Sequence, residues 1–228
     1  MAMIADNLER VRARIARACR DAGRPVESVT LLAASKRFSP VDVRAAFAAG
    51  QHRFGENQVQ EGLDKIAALA DLRALIEWHL IGPLQSNKTR AAAENFDWIH
   101  SVDRLKIAER LSAQRPDHLP PLQVCLQVNI SGEASKSGVD LADVEPLARA
   151  VASMPRLNLR GLMAIPEATA DFEAQRAPHR ALCRLFESLL ASGLSLDTLS
   201  IGMSNDLEAA VAEGATIVRV GTAIFGTR

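Results

Sequence analysis

Short apolar runs alternate with longer amphipathic stretches along most of the chain. The first stretch, residues 4–22, is amphipathic, because Ile4, Leu8, Val11 and Ile15 recur at helical spacing with arginines between them. Beyond it, eight runs rich in apolar and β-branched residues have the length of strands. We predict strands at 29–35, 53–56, 78–81, 98–102, 122–128, 157–165, 198–201 and 217–220.

Each predicted strand except the last is followed by a helical pattern. The predicted helices are 40–49, 57–70, 86–94, 103–114, 140–153, 172–192 and 206–213. Strict alternation of strand and helix is typical of a parallel sheet, and eight strands favour a closed barrel over an open, doubly wound sheet. The pattern therefore predicts an α/β fold: a single parallel (β/α)8 TIM barrel with an extra N-terminal helix, forming one domain over residues 1–228.

Composition narrows the class of protein. The chain has 228 residues, is 48% hydrophobic and balances 27 basic against 27 acidic residues, so nothing points to a nucleic acid or a membrane surface as partner. No apolar run approaches the roughly 20 residues that span a bilayer, and the N-terminus lacks a signal-peptide pattern. The three cysteines are scattered, without metal-ligand or disulfide spacing. We expect a cytoplasmic protein without a metal site.

Polar and small residues gather where the predicted strands end. In a parallel barrel these ends form the face that carries chemistry. The residues expected at this rim are Ser35, Lys36, Gly55, Glu56, Asn57, His79, Gly82, His100, Ser101, Asn129, Met163, Met203, Ser204, Asn205, Gly221 and Thr222.

Lys36 is the strongest candidate nucleophile, because it directly follows the first predicted strand. Desolvation at the mouth of a dry barrel would favour the neutral amine that Schiff-base chemistry requires. Of the other lysines, Lys65 and Lys106 fall inside predicted helices, Lys88 opens one, and Lys136 lies in a Ser- and Gly-rich loop. The alternative is that Lys36 is an ordinary strand-end lysine, paired with an acid and exposed to solvent.

The loops after the last two predicted strands have the features of a phosphate site. Residues 201–205 lead into a helix that Ser204 or Asn205 can cap, and Gly221 and Thr222 form a turn of small residues. Glycines let a backbone approach a ligand closely, and barrels of this type often bind phosphate at these two loops. The alternative is ordinary loop glycines with ordinary capping.

Arg219 lies inside the last predicted strand, two residues before Gly221. Strand alternation leaves two orientations open: inward, where an arginine needs a partner, or outward, toward an acid on a neighbouring helix. A lysine, phosphate loops and an arginine together match a known pattern for pyridoxal phosphate (PLP). In it the lysine forms a Schiff base, and an Asp or Arg faces the pyridine nitrogen.

Several long segments resemble the pyridoxal phosphate homeostasis protein family, also called the YggS/PROSC family. They are LLAASK (31–36), FGEN (54–57), WHLIGPLQSNK (78–88), VNISGEASKSG (128–138), RGLMAIP (160–166), IGMSNDLEAAVAEGAT (201–216) and VRVGTAIFG (218–226). The chain is also similar to the barrel domain of alanine racemases. The resemblance implies a PLP-binding barrel without established turnover, which keeps intracellular PLP available and amino- and keto-acid pools balanced. Apo forms of PLP-dependent enzymes would be its acceptors.

The resemblance also assigns the site. By it, Lys36 holds PLP, Arg219 faces the pyridine nitrogen, and Ser204, Gly221 and Thr222 surround the phosphate. The full set of implied cofactor-binding residues is Lys36, Asn57, Met163, Ser200, Met203, Ser204, Arg219, Gly221 and Thr222. Two departures are visible: Gln58 stands where the family commonly has Tyr, and residues 37–38 are Arg-Phe where many members have Thr-Lys.

A catalytic PLP enzyme, such as a racemase or decarboxylase, is the main competing hypothesis. A two-base racemase needs a second acid–base group, for which the similar racemases use a tyrosine from a second domain. This chain contains no tyrosine and has no residues left for that domain. His79 and His100 remain possible acid–base groups, with structural roles as the alternative. A Schiff-base aldolase is a third possibility, but no general acid partner for it is evident.

These observations favour a carrier over an enzyme, and a monomer is compatible with them. Predicted rim loops other than 129–139 are short, so we expect one side of the cofactor to stay open to water and to an acceptor. The loop that carries Lys136 is the expected mobile element near this exit, and a plain flexible loop is the alternative.

Overall fold

The computed structural model describes residues 2–131 and 137–226. All eight strands pair in parallel and in chain order, and the last strand closes on the first. The strands are β1 Thr30–Ala34, β2 Arg53–Glu56, β3 Glu77–Leu80, β4 Trp98–Val102, β5 Leu122–Gln127, β6 Leu157–Met163, β7 Thr198–Ser200 and β8 Ile217–Val220. The predicted parallel (β/α)8 barrel with an N-terminal helix is therefore confirmed.

Helices surround the barrel and follow the strands in the predicted order. They are α1 Ala2–Asp21, α2 Pro40–Ala48, α3 Val59–Ala68, α4 Thr89–Asn95, α5 Leu105–Gln114, α6 Val144–Ala152, α7 Phe172–Ala191, α8 Leu207–Ala212 and α9 Thr222–Phe225. Local sequence fixes several of their starts. Ser39 and Asp42 form a reciprocal capping box at the start of α2, with Pro40 in its first turn. None of the helices within the described ranges is long and apolar enough to cross a bilayer.

The N-terminal helix occupies the position that a helix after β8 would take. Up to residue 226, where the described part of the chain ends, the four-residue α9 is the only helix after β8, and α1 packs against α8, α9 and α2. The apolar side of this helix, as predicted from the sequence, faces inward, since Leu8, Val11 and Ile15 are buried. Side chains on α1 also form hydrogen bonds with α9 and with the loop after β7. Asn7 Nδ2 donates to the Ile224 carbonyl at 2.8 Å, and Arg14 Nη2 donates to the Ser204 carbonyl at 3.1 Å.

Alternation along the strands separates two hydrophobic clusters. The larger one lies between the strands and the helices and includes Phe54, Trp78 and Ile99. The smaller one consists of side chains that point into the barrel: Leu32, Ala34, Ile81, Trp98, Cys125, Met163 and Ile217. The inner cluster leaves room in the barrel for polar side chains, which the site uses.

Several strand ends differ from the predicted ones. The predicted strand 157–165 overruns β6, which ends at Met163, because apolar residues continue beyond the last ladder pairing. Ile165 is 43% exposed and lies on the rim instead. Predicted strands 29–35, 122–128 and 198–201 overrun in the same way, and the predicted helix 57–70 begins only at Val59. Except for Val29, which precedes β1, the extra strand residues follow the C-terminal ends of the strands.

Candidate functional site

A cavity of about 740 Å³ opens at the C-terminal ends of the strands. This volume is typical of a site for a small molecule. Seven of the nine residues that the sequence assigned to the site line this cavity: Lys36, Asn57, Met203, Ser204, Arg219, Gly221 and Thr222. Met163 and Ser200 do not line it, because both are fully buried in the barrel beneath it.

Lys36 stands on the turn that follows β1, and its side chain is exposed. The expectation of a lysine desolvated by a dry barrel mouth is therefore wrong for this structure. The next residue, Arg37, adopts a left-handed conformation with φ of 65°, which is uncommon for a residue other than glycine. Its backbone N–H donates to Glu61 Oε1. A specific contact thus fixes the sharp turn that presents Lys36 to the cavity.

A buried ion pair lies directly under this turn. Lys65 Nζ donates to Glu56 Oε1 at 2.8 Å, to Glu61 Oε1 at 2.8 Å and to the Ser35 carbonyl at 2.6 Å. Ser35 Oγ also donates to Glu56 Oε1. Burial raises the pKa of Glu56, although Lys65 and Ser35 act against that shift. The sequence places Lys65 in a helix but gives no sign that it supports Lys36.

The two predicted phosphate loops meet at the rim. Thr222 Oγ1 lies 3.3 Å from Ser204 Oγ, so the two hydroxyl groups are adjacent. Gly202 has φ of 92°, and a Cβ there would lie 2.6 Å from Ala210 Cβ, so only glycine suits this position. Gly221 precedes the first residue of α9, as expected for a small-residue turn.

Asp206, rather than Ser204 or Asn205, occupies the N-cap of α8, and its side chain makes no capping bond to that helix. The expected cap is therefore wrong. The Asp206 carboxylate instead accepts from Met203 N at 2.7 Å and pairs with His179 Nε2 at 2.9 Å. Burial opposes the charge on Asp206, but these contacts outweigh burial and lower its pKa. The loop is thus held by a partly buried carboxylate rather than by a capping hydroxyl.

Arg219 points into the barrel, which decides between the two orientations left open by the sequence. It is 4% exposed and lies at the floor of the cavity. Its guanidinium donates to Ser200 Oγ at 2.8 Å, to the Ala164 carbonyl at 2.9 Å and to the Ser200 carbonyl. Burial lowers its pKa to about 10, partly offset by Asp206, so Arg219 remains a cation at neutral pH.

A row of polar side chains continues from Arg219 through the barrel. Ser200 Oγ lies 2.8 Å from His100 Nδ1, His100 Nε2 lies 2.9 Å from His79 Nδ1, and His79 Nε2 lies 2.8 Å from Glu77 Oε1. Both histidines were expected at the rim, but they lie inside the barrel and are buried. The reason is that each histidine stands inside its strand, at an inward position two residues before the predicted end of that strand.

Asn57 reaches the cavity wall from the segment between β2 and α3. A Cβ on Gly82 would lie 2.0 Å from the Asn57 carbonyl oxygen, so the glycine after β3 permits this close approach. Gln58, where the resembled family commonly has Tyr, is exposed and precedes α3 as its N-cap residue.

The segment after β6 forms a cavity wall that sequence reasoning missed. Ile165, Glu167 and Thr169 line the cavity, as does Gln175 from α7. Gln175 Nε2 donates to the carbonyls of Thr169 at 2.7 Å and Asn205 at 3.2 Å, which ties this wall to the loop after β7. The polar residues Glu167, Thr169 and Asp171, at alternate positions after the predicted strand, are a signal that could have marked it. Lys136, the expected mobile element, lies outside the described residues.

Comparison with known proteins agrees with this geometry. Residues 4–228 match the family model described as the alanine racemase N-terminal domain. An alanine racemase from Corynebacterium glutamicum is 20% identical and has a TM-score of 0.71 over 100% of this chain and 61% of its own, which shows a shared fold. The fold and the cavity therefore define a barrel of the alanine racemase type.

Closer relatives identify the family. The chain is 60% identical to the pyridoxal phosphate homeostasis protein of Pseudomonas aeruginosa, over 100% of this chain and 97% of that protein. It is 53% identical to that of Escherichia coli K12, over 99% and 97%. PipY of Synechococcus elongatus, solved with PLP bound, is 40% identical with a TM-score of 0.86, over 98% of this chain and 100% of PipY. The chain belongs to the pyridoxal phosphate homeostasis protein family.

Proposed function

We propose that this protein binds PLP as a Schiff base on Lys36, keeps it available and passes it to apo-enzymes. The observation that carries the proposal is the convergence of three groups on one cavity: the exposed amine of Lys36, the adjacent hydroxyls of Ser204 and Thr222, and the buried cation of Arg219. The name of the bacterial relatives and the PLP-bound PipY structure support the same conclusion.

The donor set of the cavity fits the chemistry of PLP. An amine matches an aldehyde, hydroxyl groups match phosphate oxygens, and a guanidinium matches an unprotonated ring nitrogen. Gly221 adds room beside β1, since a Cβ there would lie 3.0 Å from the Ala34 carbonyl oxygen. When bound, PLP supplies an electrophilic carbon that amines can attack, and the protein supplies its position and its exposure.

Each residue has a distinct part in this proposal. Arg219 would hold the ring nitrogen, and Ser204, Gly221 and Thr222 would hold the phosphate. Asn57 and Met203 would also contact the cofactor, as the resemblance implies. Met163 and Ser200 lie below the cavity, so we assign them to supporting its floor rather than to direct contact.

We infer a carrier rather than a racemase from the groups around the cavity. His79 and His100 are buried beneath it, so they are poorly placed as acid–base groups for a substrate. The carboxylate of Asp206 is engaged by Met203 N and His179. The amine of Lys36 is exposed, which suits exchange of PLP with an incoming amine better than a closed, water-excluding reaction. The cytoplasmic location and the monomeric state stay predictions.

Borohydride reduction followed by peptide mapping tests the position of the Schiff base. The reduced PLP adduct should map to Lys36 and vanish in Lys36→Ala, while the melting temperature without PLP stays unchanged because the side chain is exposed. Lys106→Ala is the matched control, since Lys106 is also exposed but lies on α5. A full adduct in Lys36→Ala would transfer the site to another lysine, with Lys136 the first to test.

Transfer and turnover need a separate experiment. The loaded protein should activate an apo-enzyme that requires PLP, while amino acids incubated with it keep their chirality and release no carbon dioxide. Sustained racemisation or decarboxylation at ordinary PLP-enzyme rates would favour the enzyme hypothesis instead.

A further inference from the structure

With both histidine rings neutral, the polar row inside the barrel has one consistent arrangement of protons. A guanidinium carries donors and no acceptor, so Ser200 Oγ must accept from Arg219. At the other end of the row, the ionised Glu77 carboxylate can only accept, so His79 must donate to it from Nε2. Neutral His79 then accepts at Nδ1 from His100 Nε2, and neutral His100 accepts at Nδ1 from the Ser200 hydroxyl. The hydrogen-bond network thus assigns both rings the neutral Nε2–H tautomer.

The electrostatics of the interior agree with this assignment. Burial lowers the pKa of His100 well below its usual value, with His79 and Arg219 adding to the shift. Burial also lowers the pKa of His79, although Glu77 acts against it. At the far end, hydrogen bonds from His79 and Arg53 outweigh burial and lower the pKa of Glu77 to about 2. The row therefore runs from a cation to an anion through two neutral rings.

A proton added to either ring would break the row. Protonated His100 would turn a donor toward Ser200 Oγ, and the Ser200 proton would lose its acceptor. Protonated His79 would donate to His100 Nε2, so His100 would have to carry its own proton on Nδ1, and the Ser200 proton would again lose its acceptor. Either change would also place a second positive charge near Arg219, which forms no salt bridge with a carboxylate within the described ranges. The arrangement consequently keeps Arg219 as the single cation at the cavity floor.

We infer that His79 and His100, with Ser200 and Glu77, are positioning residues that act through Arg219. The one-way hydrogen-bond row fixes Ser200 Oγ as an acceptor for the guanidinium, beside the carbonyls of Ser200 and Ala164, and Arg219 also lines the cavity. The site thereby selects a ring that offers an unprotonated nitrogen as acceptor. This inference rests on the proposed function for its ligand, but the row itself is a property of the protein without ligand.

The first test uses the protein without PLP. Long-range proton–nitrogen NMR at pH 7 distinguishes the tautomers and the charge of histidine rings. His79 and His100 should both be neutral and protonated on Nε2, and Ser200→Ala should shift the His100 Nδ1 resonance. A charged ring, or an Nδ1–H tautomer at His100, would overturn the inference whatever the protein binds.

The second test compares two ligands: PLP and its carbocyclic analogue, in which CH replaces the ring nitrogen. Wild-type protein should prefer PLP, and Arg219→Lys should reduce this preference because the planar donor is lost. His100→Phe and Ser200→Ala should each lower the ratio of the two affinities by about tenfold, as expected for one hydrogen bond to a charged group. A variant that is merely destabilised would lose both affinities equally and leave the ratio unchanged.

Two controls make the ligand comparison specific. Glu77→Gln keeps an acceptor for His79 and should retain most of the preference. Cys125→Ala alters a buried side chain of the inner cluster whose thiol is neutral, since burial raises its pKa to about 12. It should leave the ratio unchanged.

The outcomes separate the two proposals. If Arg219→Lys removes the preference and neither His100→Phe nor Ser200→Ala does, the row does not act through Arg219 and the inference fails, while PLP binding stands. Failure of the wild-type protein to bind PLP would instead overturn the proposed function, and the tautomers measured without ligand would still decide whether the row exists.

Discussion

The two sides of the barrel wall differ in what they contain. The outer side packs large apolar residues, among them Trp78, Phe54 and Phe96, between strands and helices in one extensive cluster. The inner side has a cluster of seven apolar side chains beside a row that includes two histidines and an arginine. The interior of this fold is commonly filled by bulky branched residues. The polar interior here is thus a departure from the usual filling of this fold.

The outer side of the wall therefore provides most of the stability, and the inner side provides binding. Burial of large apolar surface contributes most of the favourable free energy of folding, and the outer cluster holds most of that surface. The inner polar groups are hydrogen-bonded, so they cost little, but they contribute orientation rather than cohesion. Variants on the two sides should therefore separate in what they change.

Phe96→Ala should have the largest effect and should act on stability alone. Its ring is fully buried in the outer cluster, where a Cβ on Gly62 would lie 2.4 Å from it. We expect a loss of about 3–5 kcal/mol in the free energy of unfolding, as for a buried aromatic residue replaced by alanine. Urea denaturation measures this loss. The PLP affinity of the remaining folded protein should be unchanged, and a reduced affinity would contradict the separation of the two sides.

Lys65→Met should have the second-largest effect. It should change both stability and binding, since Lys65 lies on α3 in the outer layer and contacts the turn that carries Lys36. Leaving Glu56 buried without its partner should cost about 3 kcal/mol at pH 7. Because the pKa of Glu56 is already raised in the folded protein, the loss should be smallest below the ordinary carboxyl pKa and grow as pH rises through the folded value. Urea denaturation from pH 4 to pH 7 measures it.

A double variant provides the control for this prediction. Glu56→Gln in the Lys65→Met background should restore part of the stability, because no buried charge remains. Schiff-base formation with PLP should still be slower than in wild type, since the contact between Lys65 and the Ser35 carbonyl is lost. Equal rates in all three proteins would show that Lys65 does not position Lys36.

Thr222→Val should have a smaller effect and should act on binding alone. The side chain is exposed at the rim, so its loss should leave the melting temperature unchanged. One hydrogen bond to an ionised phosphate corresponds to about 1.5 kcal/mol, or roughly tenfold in affinity. PLP should lose this factor, and pyridoxal should not. Equal losses for both ligands in fluorescence titrations would place Thr222 away from the phosphate.

Glu77→Gln should have the smallest effect, present at neutral pH and lost at acidic pH. The pKa of Glu77 in the folded protein is about 2, so its charge contributes stability above the ordinary carboxyl pKa, and this contribution is lost as pH falls toward 2. The side chain is 38% exposed, so solvent screening keeps the contribution at about 1 kcal/mol or less. Thermal melts of both proteins should therefore converge between pH 4.5 and 2.

The sequence predicts the barrel well because each strand or helix pattern can be recognised within a short stretch of the chain. The predicted strands 53–56, 98–102 and 217–220 agree with β2, β4 and β8 at both ends. Strand ends fail where apolar residues run on past the last pairing, as at Ile165. The ladder stops there for a reason that lies in the neighbouring strand, which the local pattern does not contain.

The site is predicted less completely, because its supporting contacts join distant parts of the chain. Alternation left the direction of Arg219 open, and its partner Ser200 stands on a different strand. The same holds for Lys65, whose charge in a helix gives no hint of a buried partner on the preceding strand. The residues that face the cavity carry a sequence signal, whereas those that hold them from behind do not.

The way α1 replaces a helix after β8 has a consequence for the order of synthesis. Asn7 contacts Ile224 across 217 residues of sequence, and β1 completes the barrel by pairing with β8. During synthesis Lys36 therefore emerges long before the phosphate loops, and α1 lacks its contacts with α8 and α9 until residues 207–225 have been made. Contacts of such long sequence separation slow folding. We expect a growing chain to bind PLP only after the segment that carries Ser204 and Thr222 has been synthesised and has closed the barrel.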